Sequence, residues 1–192
     1  MFNNLVTYHI HQARPLPASN AQAYQYILAA NGLFVRAETR FWQACLLVAP
    51  AEVRGLQPLQ PRFRLKIGRL PATLLTAVIA DARQQQNAAG SLNEALYQFH
   101  HDGHQVRLLR PRQQATASQV QTSQPPPPTL LLELHTHGQL PAYWSATDDQ
   151  DEQGACLYGV LGQLNEARPQ LRLRLGVYGY WQELPVAALF KT

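Results

Sequence analysis

The chain has 192 residues, 46% hydrophobic and 15% charged, with a formal net charge of +4 and only two cysteines, Cys45 and Cys156. A chain this long buries roughly two-thirds of its unfolded surface, so it needs no disulfide framework, and two cysteines outside any CxxC pattern fit a reducing, cytoplasmic setting. The longest apolar stretch, Leu70 to Ala80, is about half a membrane span, and no charged-then-apolar secretory pattern opens the sequence, which excludes membrane insertion and points away from export.

The positive charge does not read as a nucleic-acid surface. Arginines are scattered, and only Arg107/Arg110/Arg112 and Arg168/Arg172/Arg174 approach clusters. No aromatic residues interleave them as a stacking platform requires, so both groups read as solvated faces.

Along the chain, Asn20 to Ala30 spaces Tyr24, Ile27 and Leu28 helically, and Asn31-Gly32 reads as its stop. The runs LFVRAE and FWQACLLVAP look like strands; Phe41 and Trp42 there are either a docking surface or core. Two prolines in GLQPLQPRF place a boundary at Pro61, giving a small α+β extension over 1–61 and a second domain over 62–192. Arg62 to Ile67 alternates as a half-buried strand. Pro71 opens a helix carrying Leu74, Leu75, Val78, Ile79 and Ala82, expected to run to about Gln86. Strands over Glu94 to His100 and Gln105 to Leu109 follow, joined at Asp102-Gly103, with His100, His101 and His104 exposed around that turn. Residues 111–128 are glutamine-, serine- and proline-rich and read as an exposed, semi-rigid spacer.

The chemistry concentrates in TLLLELHTHGQLPAYWSATDDQDEQG. With a strand period of two, Leu130, Leu132 and Leu134 face one way, and Glu133, His135 and His137 the other. Two such histidines lie roughly 7 Å apart at the backbone, so both imidazoles can reach one ion. Zinc needs a third protein ligand, and a turn after His137 could return the Asp148 carboxylate; Asp149 is the neighbouring alternative. Ser145-Ala-Thr-Asp148 is also a helix capping box, with no catalytic role required. His9 and His11 form a second HxH that no serine or aspartate follows at a matching distance.

His135-Thr-His137, seven residues, Ser145, two residues, Asp148 resembles the HxHx7SxxD signature of the JAMM (JAB/MPN) zinc metallopeptidases. The resemblance covers about 66–190 and extends to the order of helix, glutamate-bearing strand, hairpin, HxH strand and Ser/Asp helix. More narrowly, the N-terminal extension and the wording HTHG…YWSATDDQDE resemble the PRTRC system protein A family, part of a bacterial mobile-element cassette. The resemblance implies a cytidine-deaminase-like layered mixed sheet with flanking helices. It implies that His135, His137 and Asp148 bind zinc, that Ser145 donates to an oxyanion, and that Glu94 is the general base on the attacking water. Glu133 is the rival base, or else orients an imidazole. The family's usual proline after the second histidine is Gly138 here.

The expected function is hydrolysis of a peptide or isopeptide bond at the tail of a ubiquitin-like modifier. The alternative is a non-catalytic module that docks E1-like and E2-like partners. A PHP-type or amidohydrolase reading fails, because the residues after His137 contain no further histidine. Cys156, in the strand-like run ACLYGVLG, reads as a core thiol.

Overall fold

The computed structural model describes residues 4–123 and 125–191; Met1, Phe2, Asn3, Gln124 and Thr192 lie outside the described residues. The chain is a mixed α+β protein, mostly strands in sheets with two helices. It divides into two compact units, Met1–Gly68 with Val177–Gln182, and Arg69–Gly176 with Glu183–Thr192. Among the described residues no helix is long and apolar enough to cross a membrane.

The first unit holds β1 (Val6–Ile10), β2 (Tyr24–Ala29), β3 (Gly32–Glu38), β4 (Trp42–Pro50) and β5 (Arg62–Leu65), in that spatial order. The helix expected over Asn20 to Ala30 is therefore a strand, and no helix occurs in 4–68. Its aromatic and β-branched content suits a pleated surface, and its buried residues Gln25, Ile27 and Ala29 alternate. Ala29 pairs with Gly32, so Ala30-Asn31 is a two-residue hairpin loop rather than a helix stop. The strand over 62–65 pairs with Trp42–Cys45, which carries the first unit past the expected boundary at Pro61 to Gly68. Ile27, Ala29, Phe34 and Cys45 form a core, and Phe41 and Trp42 are buried rather than available for docking.

In the second unit, α1 (Ala72–Ala82) starts after Pro71, which caps it in an extended conformation. Then come β6 (Leu96–His101), β7 (Val106–Leu109), the short pair β8 (Gln114–Ala115) and β9 (Val120–Gln121), and β10 (Leu130–Thr136). The chain continues through α2 (Ala146–Asp151), β11 (Ala155–Gly162), β12 (Gln170–Val177) and β13 (Tyr180–Leu184); of β13 only Glu183 and Leu184 belong to this unit. Six strands form one sheet in the order β13-β12-β11-β10-β6-β7. The segment 111–128 is not a plain spacer: it forms the β8–β9 hairpin, and Thr116 accepts the Glu94 backbone N–H at 2.7 Å.

β10 is central, parallel to β11 and antiparallel to β6. A parallel neighbour requires a crossover, and α2 lies within it. Leu132 and Leu134, on the face opposite the histidines, are almost wholly buried, which fixes the register, since a slip by one residue would put Glu133 and His135 in their place. That register pairs His135 with Leu96 and Glu133 with Gln98. Residues 94, 96 and 98 therefore share a face with 133, 135 and 137.

Candidate metal centre

His135 lies one residue before the end of β10, and His137 one residue beyond it. Their Nε2 atoms are 3.1 Å apart, and His135 Nε2 is 3.3 Å from Asp148 Oδ1. One ligand atom from each of His135, His137 and Asp148 lies within 4.8 Å of the others. Bonds of 2.0–2.1 Å to a tetrahedral zinc put neighbouring ligand atoms about 3.3 Å apart, the spacing that the 3.1 and 3.3 Å separations at His135 match.

Two of the three donors, His137 and Asp148, are held from behind. His137 Nδ1 lies 3.3 Å from the Pro141 carbonyl, which fixes the tautomer that leaves Nε2 as the inward lone pair. The turn carrying Pro141 crosses Gly162, where a Cβ would sit 2.4 Å from the Leu140 carbonyl oxygen and the Ala142 nitrogen. Gly138 has φ +56, a left-handed conformation. Proline is locked near −65°, so it cannot occupy this backbone, which a glycine adopts freely. The Asp148 carboxylate is divided. Oδ2 accepts the Ser145 N–H at 2.6 Å in a complete capping box, and Oδ1 faces His135. Ser145 Oγ accepts the Asp148 N–H at 3.1 Å, leaving its own proton to donate elsewhere.

Glu94 stands just before β6. Thr136 receives the Ala95 N–H on its side chain and returns its own N–H to the Ala95 carbonyl, each at 2.9 Å. This exchange sets Glu94 on the histidine face. Glu94 is 9% exposed, and no side-chain partner is found for it among the described residues. It lines a cavity of about 600 Å³ together with Glu133, His135, His137, Ser145 and Asp148. The stretch 118–122 forms another wall.

Burial sets the protonation states. It lowers His135 to about 4 against the pull of Asp148, and it lowers His137 too, so both imidazoles are neutral ligands at pH 7. Burial first, and Asp148 second, push Glu94 up to about 7, where a carboxylate both takes and gives a proton. Glu133, the rival base, accepts from Gln98 Nε2 at 3.0 Å. Asp149, the alternative ligand, turns away and pairs with Arg174.

No protein-family model matches the chain. A comparison with curated proteins returns no match.

Other expected residues fall outside the centre. His100 is half-buried and lies 3.2 Å from both Thr129 Oγ1 and Gln98 Oε1, and His101 is half-buried; only His104 of the three is exposed. Cys156 has its thiol pushed up by burial and then by Glu133, so it remains a thiol and not a nucleophile. Arg174 overturns the solvated-face reading of its cluster: it is 4% exposed and pairs with Asp149 and Glu152. No local signal marks it: its strand, QLRLRLGV, alternates arginines with leucines as a half-exposed strand does, yet Arg174 is buried.

Proposed function

We propose that this chain is a zinc-dependent metallopeptidase of JAMM type with a JAB/MPN-like second unit. It would cut a peptide or isopeptide bond at the tail of a ubiquitin-like modifier, in a bacterial mobile-element (PRTRC) setting. The observation that carries this reading is the convergence of His135, His137 and Asp148 on one point of a cavity that also holds Ser145 and Glu94. The order of elements from α1 to α2 supports it, with the glutamate just before the strand paired to the HxH strand.

Zinc, when bound, acts as a Lewis acid that brings the pKa of water near 7. The neutral imidazoles of His135 and His137, with Asp148 Oδ1, are the donors that hold it. Glu94 takes a proton from the attacking water and returns it to the leaving amine. A carboxyl with pKa about 7 is equally able in either direction at neutral pH. Ser145, with its Oγ lone pair engaged by the Asp148 N–H, donates its hydroxyl proton to the carbonyl oxygen as negative charge develops there. No covalent intermediate is required.

The test joins metal content to turnover. Purified protein should contain one zinc and cleave a ubiquitin-like fusion, and Glu94→Gln should keep the zinc while cleavage falls by about 10²- to 10⁴-fold. Zinc-loaded protein that cleaves no such fusion, with or without Glu94, would favour a docking module for E1-like and E2-like partners. Full cleavage by metal-free protein would overturn the reading.

A further inference from the structure

α2 carries Asp148, yet it cannot place itself. It has only six residues, Ala-Thr-Asp-Asp-Gln-Asp, and none is buried. Helices shorter than about 12 residues are marginal in water, and a helix without an apolar stripe gains nothing from packing on a sheet. The capping box orders the Ser145–Asp148 turn internally but does not tie it to β10. Something outside the helix must set where Asp148 stands relative to the histidines.

Arg174, from β12, touches both flanks of that turn. Its guanidinium stacks over Trp144, with Cζ 4.1 Å from the ring centroid, on the residue just before Ser145. On the other flank, Nη1 lies 2.6 Å from Asp149 Oδ1, and Nε lies 2.7 Å from Glu152 Oε2. Glu152 is itself 6% exposed and caps the C-terminal end of α2. A planar fork can stack on an aromatic face and bond two carboxylates at once; a lysine cannot. Burying an arginine among carboxylates adds little net stability over an apolar filling, so its value here is position.

We infer that Arg174 is a positioning residue for the metal centre, clamping Trp144, Asp149 and Glu152 so that the Asp148 carboxylate is held at His135 and His137. This rests on the metal-centre reading above and extends it to a residue that is not one of the three ligands.

The experiment measures zinc affinity by chelator competition in the full chain, for the unmodified protein, Arg174→Lys and Asp149→Asn. Arg174→Lys keeps a cation beside buried Glu152 but loses the fork and the stack. Zinc affinity should fall by about tenfold to a hundredfold, the usual effect of losing a residue that orients a ligand. Absorption bands of the cobalt-substituted protein should shift, reporting altered ligand geometry that a purely structural role would leave alone. Asp149→Asn removes only the more exposed arm and should give a smaller loss in the same direction, which keeps the test usable if Arg174→Lys folds poorly. Folded variants with unchanged zinc affinity and cobalt spectrum would overturn the clamp alone. An unmodified protein that takes up no zinc would overturn the metal centre itself, and the clamp with it.

Discussion

Two strands of this protein carry the pattern His-x-His, and they come to different ends. On β1, His9 and His11 share a face, with ring centroids 6.2 Å apart. On β10, His135 and His137 have centroids 5.0 Å apart and bring their Nε2 atoms to 3.1 Å. β1 is the edge of its sheet, whereas β10 is flanked on both sides. The decisive difference lies in the segment that succeeds each strand. After β10 a capped turn returns a carboxylate to the imidazoles, and the group so formed is the one three-residue cluster of potential ligands found among the described residues. Near His11 stands Arg14 instead; burial first, then His9, and Arg14 last hold that imidazole below its ordinary pKa. His9 Nε2 and His11 Nδ1 are buried, with no hydrogen-bond partner among the described residues. Two histidines on a strand supply reach; the element after the strand decides whether they have a third donor or a repelling cation.

Substitutions make that contrast measurable. The largest effect is expected for His135→Ala, His137→Ala or Asp148→Asn. Each removes a donor, so zinc affinity should fall by more than the hundredfold that a supporting residue costs, and cleavage should vanish with it. His9→Ala and His11→Ala should leave zinc stoichiometry at one per chain, measured by metal analysis after dialysis. If either of them lowers it, the two strands do not differ in their capacity for metal. Ser145→Ala comes next. It should cost about 10²- to 10³-fold in kcat through the lost oxyanion donor, with about 1 kcal/mol of stability lost through the cap. A variant that loses the stability but keeps kcat would reduce Ser145 to a cap.

Much of the centre was legible because its signal is local in sequence. The period of two places His135 and His137 on one face whatever the sheet around them, and the SxxD capping box announces a turn at a fixed distance. Glu94 was legible only through the resemblance. Its place on the histidine face comes from pairing with a strand some forty residues away, which no local pattern encodes. Arg174 was misread for the same reason. Alternating Arg and Leu normally marks a half-exposed strand, and nothing in QLRLRLGV says that carboxylates from α2 cover the polar side. In the first unit, Tyr24, Ile27 and Leu28 satisfied a helical spacing, yet aromatic packing of Tyr24 against Tyr26 and of Tyr8 against Tyr26 belongs to a pleated sheet. Short apolar runs fit both periods, and tertiary pairing chose between them. The stretch over 111–128 was compositionally a spacer, but a few backbone hydrogen bonds suffice to bring it against Glu94.

The smallest predicted effect concerns stability, and it separates Glu94 from every other carboxylate on the chain's surface. Burial raises its pKa from the ordinary 4.5 to about 7. Between those two values the folded protein binds a proton that the unfolded chain has released, so the Glu94 contribution declines as pH rises from 4.5 to 7 and is constant above. The full shift corresponds to about 3 kcal/mol, and screening by water in the cavity should reduce this to about 2 kcal/mol. His135 acts oppositely. With its pKa lowered to about 4, it stays neutral when folded, and its contribution is lost as pH falls from 6.5 towards 4. Other buried groups titrate across the same range, Glu152 raised to about 8 and His137 lowered, so the pH profile of the parent protein alone is a sum of several slopes. Subtracting it from that of Glu94→Gln isolates the glutamate. In metal-free protein, chemical denaturation should find Glu94→Gln equal to the parent near pH 4 and about 2 kcal/mol more stable at pH 8. A residue kept at such a cost to the fold is one retained for its chemistry. A difference that does not change with pH would mean that Glu94 ionises as freely as a surface carboxylate, and it could then not serve as both acceptor and donor at neutral pH.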